Sequence, residues 1–196
     1  SSNKTEKKIC YVTDLTEEER FQINNLCNSS FRDNKKLPSK TISRNYLDSL
    51  SPYNLIISRL YFGESIIGVC FAKIEQKRVI KPLSPEYLYL HSITIDENHR
   101  GMGYCYHLVR NLITGKIRIG STVKQLGKMP MYLHVCVNIE NPNESAIKCY
   151  KKNGFKFVDM IYVERENGPN VVMMRPKGIG KDKTKKSKKP KKTRKK

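Results

Sequence analysis

The chain has 196 residues and a formal charge of +20, and its length suits one domain with a sizeable core. Residues 177–196 hold twelve Lys or Arg and one acid, whereas residues 1–176 hold 26 basic and 17 acidic residues. There is no apolar run long enough to span a membrane, no visible secretory leader, and no metal-finger or CxxC spacing among six cysteines. These features predict an intracellular domain over 1–176 with buried free thiols and no metal, followed by a disordered Lys-rich tail over 177–196.

The first half of the chain predicts two helices and three strands. Asp14 or Thr16 caps a helix that runs to Leu26, and the acids Glu17–Glu19 favour the dipole of its first turn. Ile42–Leu50 has the pattern of a second, shorter helix. The predicted strands are Ile9–Thr13, Asn54–Phe62 and Ser65–Ile74, of which the last two form a hairpin across Gly63-Glu64.

The second half alternates strands with helices. Tyr87–Ile95 and Met131–Asn138 have the composition of buried strands, and a helical pattern follows Gly103 up to Thr114. Thr114–Pro130 between them is a long, basic connection to which no structure is assigned. The predicted elements after it are the helix Asn143–Lys152, capped by Asn141 or Asn143 and ended by Asn153-Gly154, and the strands Phe155–Val163 and Asn170–Met174. This order predicts a mixed α/β sheet, mostly antiparallel, with two crossover helices.

The stretch Glu86–Ile113 combines a strand, a glycine loop and the start of a helix. Gly101-Met102-Gly103 lets a phosphate approach the main chain, and the N–H groups of the first helical turn point outward at the positive end of the helix dipole. The stretch is therefore suited to a phosphorylated ligand, although a GxG before a helix is as often only a turn.

Three segments together resemble the GNAT superfamily of acetyl-CoA-dependent N-acetyltransferases. They are the strand, loop and helix of Tyr87–Ile113, the strand MYLHVCV, and the segment NESAIKCYKKNGF, and the resemblance covers roughly Ile9–Arg175. YLHV together with NESAI and the following tyrosine and Gly-Phe is especially similar to the protein N-terminal acetyltransferases. The resemblance implies an α+β fold with a mixed, mostly antiparallel sheet, splayed central strands and flanking helices.

The resemblance also implies where acetyl-CoA binds as co-substrate. The loop after the first central strand holds the pyrophosphate, and the pantetheine arm lies between the two splayed strands. The family loop usually begins with Gln or Arg, whereas this chain has Asn98 there and places its charge one or two positions later. The implied cofactor residues are Ile93, Thr94, Ile95, Asn98, His99, Arg100, Gly101, Met102, Gly103, Tyr104, Asn143 and Tyr150.

Acetyl transfer to an amine needs a base for the amine proton and an acid for the leaving thiolate. His134 lies where the family places a histidine base, and a histidine has an ordinary pKa of about 6.5. Tyr150 matches the family tyrosine that protonates the sulfur, and Tyr87 lies fourteen positions before Gly101, as a catalytic tyrosine does in N-terminal acetyltransferases. His91 is a further candidate for a base acting through water. Each of these residues also suits an ordinary place in the core.

The acceptor amine stays open. The sequence favours a protein amine, either N-terminal or lysine, but the compact turn around Glu164 and Glu166 also suits a polyamine or another small amine. A third alternative is an inactive GNAT-fold protein associated with nucleic acid. The Lys-rich tail suits ribosome, RNA, DNA or acidic-protein binding, or nuclear localisation, in a cytoplasmic or nuclear protein.

Overall fold

The computed structural model describes residues 5–32, 47, 50, 55–76, 86–138, 141–142, 144–163 and 168–176. The predicted helix Ile42–Leu50 lies outside these residues, apart from Leu47 and Leu50, and so does the tail 177–196. The strands are β1 (Thr5–Tyr11), β2 (Leu55–Phe62), β3 (Ser65–Glu75), β4 (Tyr87–Ile95), β5 (Lys116–Ile119), β6 (Thr122–Gln125), β7 (Met131–Asn138), β8 (Asn141–Pro142), β9 (Lys156–Val163) and β10 (Gly168–Arg175). The helices are α1 (Glu17–Arg32), α2 (Tyr104–Thr114) and α3 (Glu144–Lys152).

The main sheet has the strand order β1-β2-β3-β4-β7-β10-β9, and β8 pairs with β7 off this path. Neighbouring strands are antiparallel except β4 and β7, which are parallel. The predicted mixed, mostly antiparallel sheet with two crossover helices is confirmed. Within the described helices, no segment has the length and apolar character needed to cross a membrane.

Helix α1 begins with a reciprocal capping pair. The Thr16 hydroxyl accepts a hydrogen bond from the N–H of Glu19 at 3.2 Å, and the Glu19 carboxylate accepts one from the N–H of Thr16 at 3.0 Å. Thr16, and not Asp14, is thus the capping residue, and it satisfies N–H groups that the first turn would otherwise leave open. The helix continues to Arg32, six residues beyond the predicted end at Leu26.

The sheet is covered on both faces. One face packs against α2 and α3, and its buried core includes Leu88, Leu90, Leu112 and Leu133. The other face packs against α1 through a second cluster that includes Phe71. Each large side chain that is fully buried contributes about 1.5–3 kcal/mol. The first cluster therefore fixes the positions of β4 and β7, and the second holds β2 and β3 against α1.

The basic connection Thr114–Pro130 is a β-hairpin, which the sequence analysis did not assign. Strands β5 and β6 pair antiparallel across a turn at Gly120, where φ is +58°. Ile117 and Leu126 are buried in the core and anchor the hairpin. A Cβ on Gly127 would lie 2.1 Å from the carbonyl oxygen of Ile113, so a side chain there would prevent the hairpin from packing against the end of α2.

Cysteine pairing differs from the prediction of free thiols. A disulfide joins Cys105 in the first turn of α2 to Cys149 in α3, with a Cα–Cα distance of 6.2 Å. Cys10, Cys27 and Cys70 are free, and burial raises the pKa of the Cys27 thiol to about 12. The expectation of free thiols is therefore wrong for the α2–α3 pair, because the two helices pack side by side and bring residues 44 positions apart into bonding range.

Candidate active site

The two central strands separate after a short paired segment. β4 and β7 pair only from Leu88 with Met131 to Leu90 with Leu133. On its other side, β4 continues to pair with β3 as far as Ile95. The predicted splay is therefore present. Beyond Leu90, the edge of β4 that faces β7 does not pair with β7.

A β-bulge on β4 accounts for the separation. Ala72 of β3 pairs with Leu90 and the adjacent Phe71 pairs with Ser92, so His91 is an extra residue in the ladder. A bulge bends its strand and increases the local twist. The backbone groups of β4 beyond this point can hydrogen-bond the amide groups of a ligand that lies in the gap.

The loop between β4 and α2 is held in shape by Asp96. Its carboxylate accepts hydrogen bonds from the N–H of Asn98 at 3.0 Å and from Nδ1 of His99 at 2.8 Å. Arg100 donates from Nε to the carbonyl oxygen of Ile95 at 3.2 Å. The loop is therefore ordered by its own polar contacts, while the side chains of Asn98 and Arg100 stay exposed.

The glycines of the loop have backbone angles that other residues rarely adopt. Gly101 and Gly103 both have φ of +79°, and Gly103 is the residue that caps α2. A Cβ built on either glycine meets nothing within 4 Å, so the space in front of the main chain is open. An exposed glycine loop at a helix N-terminus is a favourable place for an anion.

The remaining predicted cofactor residues flank this loop. Thr94 is buried, whereas Ile93, Ile95 and Tyr104 are half-buried against the core. The side chain of Met102 is 60% exposed at the loop tip, where an apolar group is available for contact with a ligand. Asn143 lies outside the described residues, as do Glu164 and Glu166.

His134 and Tyr89 meet on the sheet face opposite α2. The Tyr89 hydroxyl lies 3.4 Å from Nδ1 of His134, and the two rings are 5.3 Å apart in an edge-on arrangement. Tyr89 also packs edge-on against His91 at 6.2 Å. Sequence reasoning did not select Tyr89, although the alternation of Tyr87, Tyr89 and His91 places all three on one face of β4.

Tyr150 approaches the same strands from α3. Burial raises the pKa of its hydroxyl well above the ordinary value, and the electrostatic effects of Cys70 and Tyr89 raise it further. The hydroxyl therefore stays protonated at neutral pH and is available as a proton donor. Tyr89 thus contacts His134 and also affects the pKa of Tyr150.

Tyr87 lies one step further back along β4. It is buried and packs edge-on against Tyr132 at a centroid distance of 5.4 Å. Burial raises its pKa, and the electrostatic effects of Glu75 and Tyr132 act in the same direction. Tyr89 thus contacts His134, whereas the ring of Tyr87 packs against Tyr132.

His91 is a histidine whose neutral form is favoured. Although much of its side chain is exposed, loss of solvation by the surrounding strands lowers its pKa, and the Lys73 ammonium group lowers it further. A histidine that is neutral at physiological pH can accept a proton.

Among the described residues, no group of three or more His, Cys, Asp or Glu side chains has the geometry to hold a metal ion.

Comparisons with known proteins fit this geometry. A family model described as the acetyltransferase (GNAT) family matches residues 20–155, and no curated protein matches the sequence. Arabidopsis thaliana Naa50 in complex with a bisubstrate analogue aligns with a TM-score of 0.53 and 19% identity, over 87% of this chain and 97% of that chain. The ribosomal-protein-S18-alanine N-acetyltransferase of Escherichia coli aligns with a TM-score of 0.57 and 13% identity, over 91% and 98% of the two chains. Salmonella typhimurium yncA with its cofactor acetyl-CoA aligns with a TM-score of 0.57 and 12% identity, over 87% and 93%.

Proposed function

The chain belongs to the acetyltransferase (GNAT) family, and from this premise we propose that it transfers the acetyl group of acetyl-CoA directly to a primary amine of a protein. The observation that carries the proposal is the gap between β4 and β7, which has the glycine loop at one end and His134, Tyr89 and Tyr150 around it. A cofactor and an amine that enter this gap from opposite faces would meet at these three side chains.

Acetyl-CoA fits the residues at the loop and the gap. The open main chain at Gly101 and Gly103 and the first turn of α2 suit the pyrophosphate. The edge of β4 beyond Leu90, which is not in the β7 ladder, suits the amides of the pantetheine arm. We propose that Ile93–Ile95, Asn98–Tyr104 and Asn143 form the cofactor site, in which Arg100 supplies positive charge in place of the Gln or Arg usual at the position of Asn98. When bound, acetyl-CoA supplies the activated acetyl group.

The reaction then requires two proton transfers by side chains of this protein. His134 accepts the proton that the amine must lose, and Tyr89 orients the imidazole through its hydroxyl. Tyr150 remains protonated because it is buried, and it donates a proton to the departing thiolate. Tyr87 remains a proposed catalytic residue, with Tyr132 as its ring partner. His91, whose pKa is lowered, can replace His134 as the base through a water molecule.

A protein amine is favoured over a small amine as acceptor. The structural neighbours include a complex of Naa50 with a bisubstrate analogue and an enzyme named for acetylation of a ribosomal protein. We propose that the Lys-rich tail 177–196 forms a separate segment that directs the enzyme to RNA, to the ribosome or to the nucleus.

A polyamine is the second candidate acceptor, and the connection between the last two strands supports it. β9 ends at Val163 and β10 begins at Gly168, which leaves four residues for the connection. A short connection provides little chain to cover a peptide. The further alternative of an inactive binding protein has less support, because acid and base candidates lie together at the gap.

Acetyl-transfer assays with the purified full-length chain test the proposal. We expect release of free coenzyme A with a panel of peptides that carry an N-terminal or lysine amine, and mass spectrometry should locate one added acetyl group on nitrogen. Spermidine and spermine in the same assay test the second candidate. Failure of every amine to stimulate coenzyme A release above the slow hydrolysis rate would overturn the proposed function.

A further inference from the structure

Asn170 carries a buried amide that has no hydrogen-bond partner in the part of the chain that the structure describes. Its side chain has 0% exposure, and among those residues neither Nδ2 nor Oδ1 is paired. A buried donor or acceptor that stays unpaired costs folding free energy, and the large majority of such groups in proteins are paired. An amide that is unpaired at both of its atoms would therefore gain from a ligand that supplies one donor and one acceptor.

The register of β10 places this amide beside the proposed base. Val172 lies directly opposite His134 on β7, and Asn170 lies opposite Cys136. Because alternate residues of a strand share a face, Asn170 lies on the same side of the sheet as His134. Diagonal neighbours across an antiparallel pair are about 7–8 Å apart. The sheet surface between Asn170 and His134 is apolar, since Val172 packs in a cluster with Tyr87 and Tyr132.

The chemistry of the amide selects between acceptor classes. Nδ2 needs an acceptor and Oδ1 needs a donor. An extended residue of a polypeptide presents its own N–H and carbonyl oxygen on the same edge of the chain and can satisfy both atoms. A protonated polyamine offers only N–H donors, so Nδ2 would stay unpaired. Because the amide has no exposed surface, an acceptor has to displace the groups that cover it. A peptide offsets the free-energy cost of this displacement more completely than a polyamine, because it pairs both atoms of the amide.

We propose that Asn170 binds the main-chain N–H and carbonyl oxygen of one extended residue of the acceptor through both atoms of its amide and so favours polypeptide over polyamine substrates. This inference rests on the proposed acetyl transfer and assigns its substrate class. At a rise of about 3.3 Å per extended residue, a separation of 7–8 Å corresponds to two residues. For an N-terminal amine positioned at His134, the contact therefore falls on the third residue of the acceptor, whose N–H belongs to the second peptide unit.

The variant Asn170→Leu tests the proposal, because leucine has a similar size and no polar atoms. We expect kcat/KM for a peptide acceptor to fall about 10- to 100-fold, as suits the loss of two hydrogen bonds. The kcat/KM of Asn170→Leu for spermidine should stay within about twofold of the wild-type value. The melting temperature without ligands should stay the same or rise, because an unpaired amide is removed from the interior. A structural role for Asn170 predicts the opposite, namely a lower melting temperature and an equal loss with both acceptors.

Ester substitution in the peptide gives an independent measurement. Replacing the N–H of the second peptide unit by oxygen should lower kcat/KM about tenfold with the wild-type enzyme, because Oδ1 loses its donor. The same replacement should have little effect with Asn170→Leu, since the two changes remove one interaction. If the losses in kcat/KM from the ester and from Asn170→Leu simply add, the proposal is overturned. Wild-type turnover of spermidine without turnover of any peptide would overturn it as well and leave acetyl transfer intact, whereas absence of turnover with every amine would remove both proposals.

Discussion

Replacing Gly103 by alanine separates ligand binding at the loop from the stability of the fold. The residue has φ of +79° and caps α2, and a Cβ there meets nothing within 4 Å in the free protein. The free energy of unfolding should therefore fall only by the backbone strain of a left-handed alanine, about 1–2 kcal/mol. Acetyl-CoA affinity should fall further, because the methyl group lies where the pyrophosphate must approach the main chain.

The expected loss of affinity follows from the hydrogen bonds that the loop can make. A charge-assisted bond from a backbone N–H to a phosphate oxygen contributes about 1.5–3 kcal/mol. Displacing one such bond corresponds to a loss in affinity of about 10- to 100-fold. Titration calorimetry with acetyl-CoA measures the affinity, and urea unfolding of the same preparations measures the stability.

Gly120 offers a matched control. It has φ of +58° in the turn between β5 and β6, and a Cβ there also meets nothing within 4 Å. The eleven residues of α2 separate it from the loop by roughly 16 Å of helix. Gly120→Ala should cost similar stability and leave affinity unchanged. Equal affinities for Gly103→Ala and Gly120→Ala would refute the assignment of the loop as the cofactor site.

The other predictions concern the proton-transfer residues, the disulfide and the tail. Tyr150→Phe should lower kcat about 10²- to 10⁴-fold with little change in acetyl-CoA affinity, because only the proton donor is lost. His134→Gln should lower kcat and flatten the acidic limb of the pH–rate profile. Any limb that remains should have its midpoint below the ordinary histidine value, because the pKa of His91 is lowered by loss of solvation and by Lys73. If the activity of either variant falls only in proportion to its amount of folded protein, that residue has a purely structural role. Cys105→Ser should lower the free energy of unfolding by about 4 kcal/mol, the chain-entropy value for a closed loop of this length, and reductant should abolish the difference from wild type. Truncation after Pro176 should leave turnover of a small soluble acceptor unchanged and reduce the salt dependence of RNA binding; loss of turnover would contradict a separate tail.

The strands and helices were predictable where apolar residues recur with a clear period. β4, β7 and α2 match their predicted spans closely, because buried strands and amphipathic helices are the patterns that a sequence displays best. The hairpin β5–β6 was missed because its strands have four residues each and carry basic side chains. The alternation of Ile117 between Lys116 and Arg118 was the signal available.

The candidate site was predictable in part. The loop Gly101–Gly103 was selected from its glycines alone, and both glycines have a positive φ, which glycine adopts without steric cost. The contact between Tyr89 and His134 depends on the register of two strands 45 residues apart in sequence, which composition does not encode. The disulfide likewise depends on how two helices pack, since spacing alone does not fix the pairing of six cysteines.

The hairpin at the far end of α2 also provides a position for a reporter. Its base is fixed by Leu126 and by the close approach of Gly127 to Ile113, whereas Gly120 and Ser121 at its tip are exposed. Exposed turns of this kind tolerate insertions and attached groups. A fluorophore coupled to a cysteine placed at Ser121 would therefore move with a rigid element, and its rotational diffusion would report when the enzyme joins a much larger particle such as a ribosome.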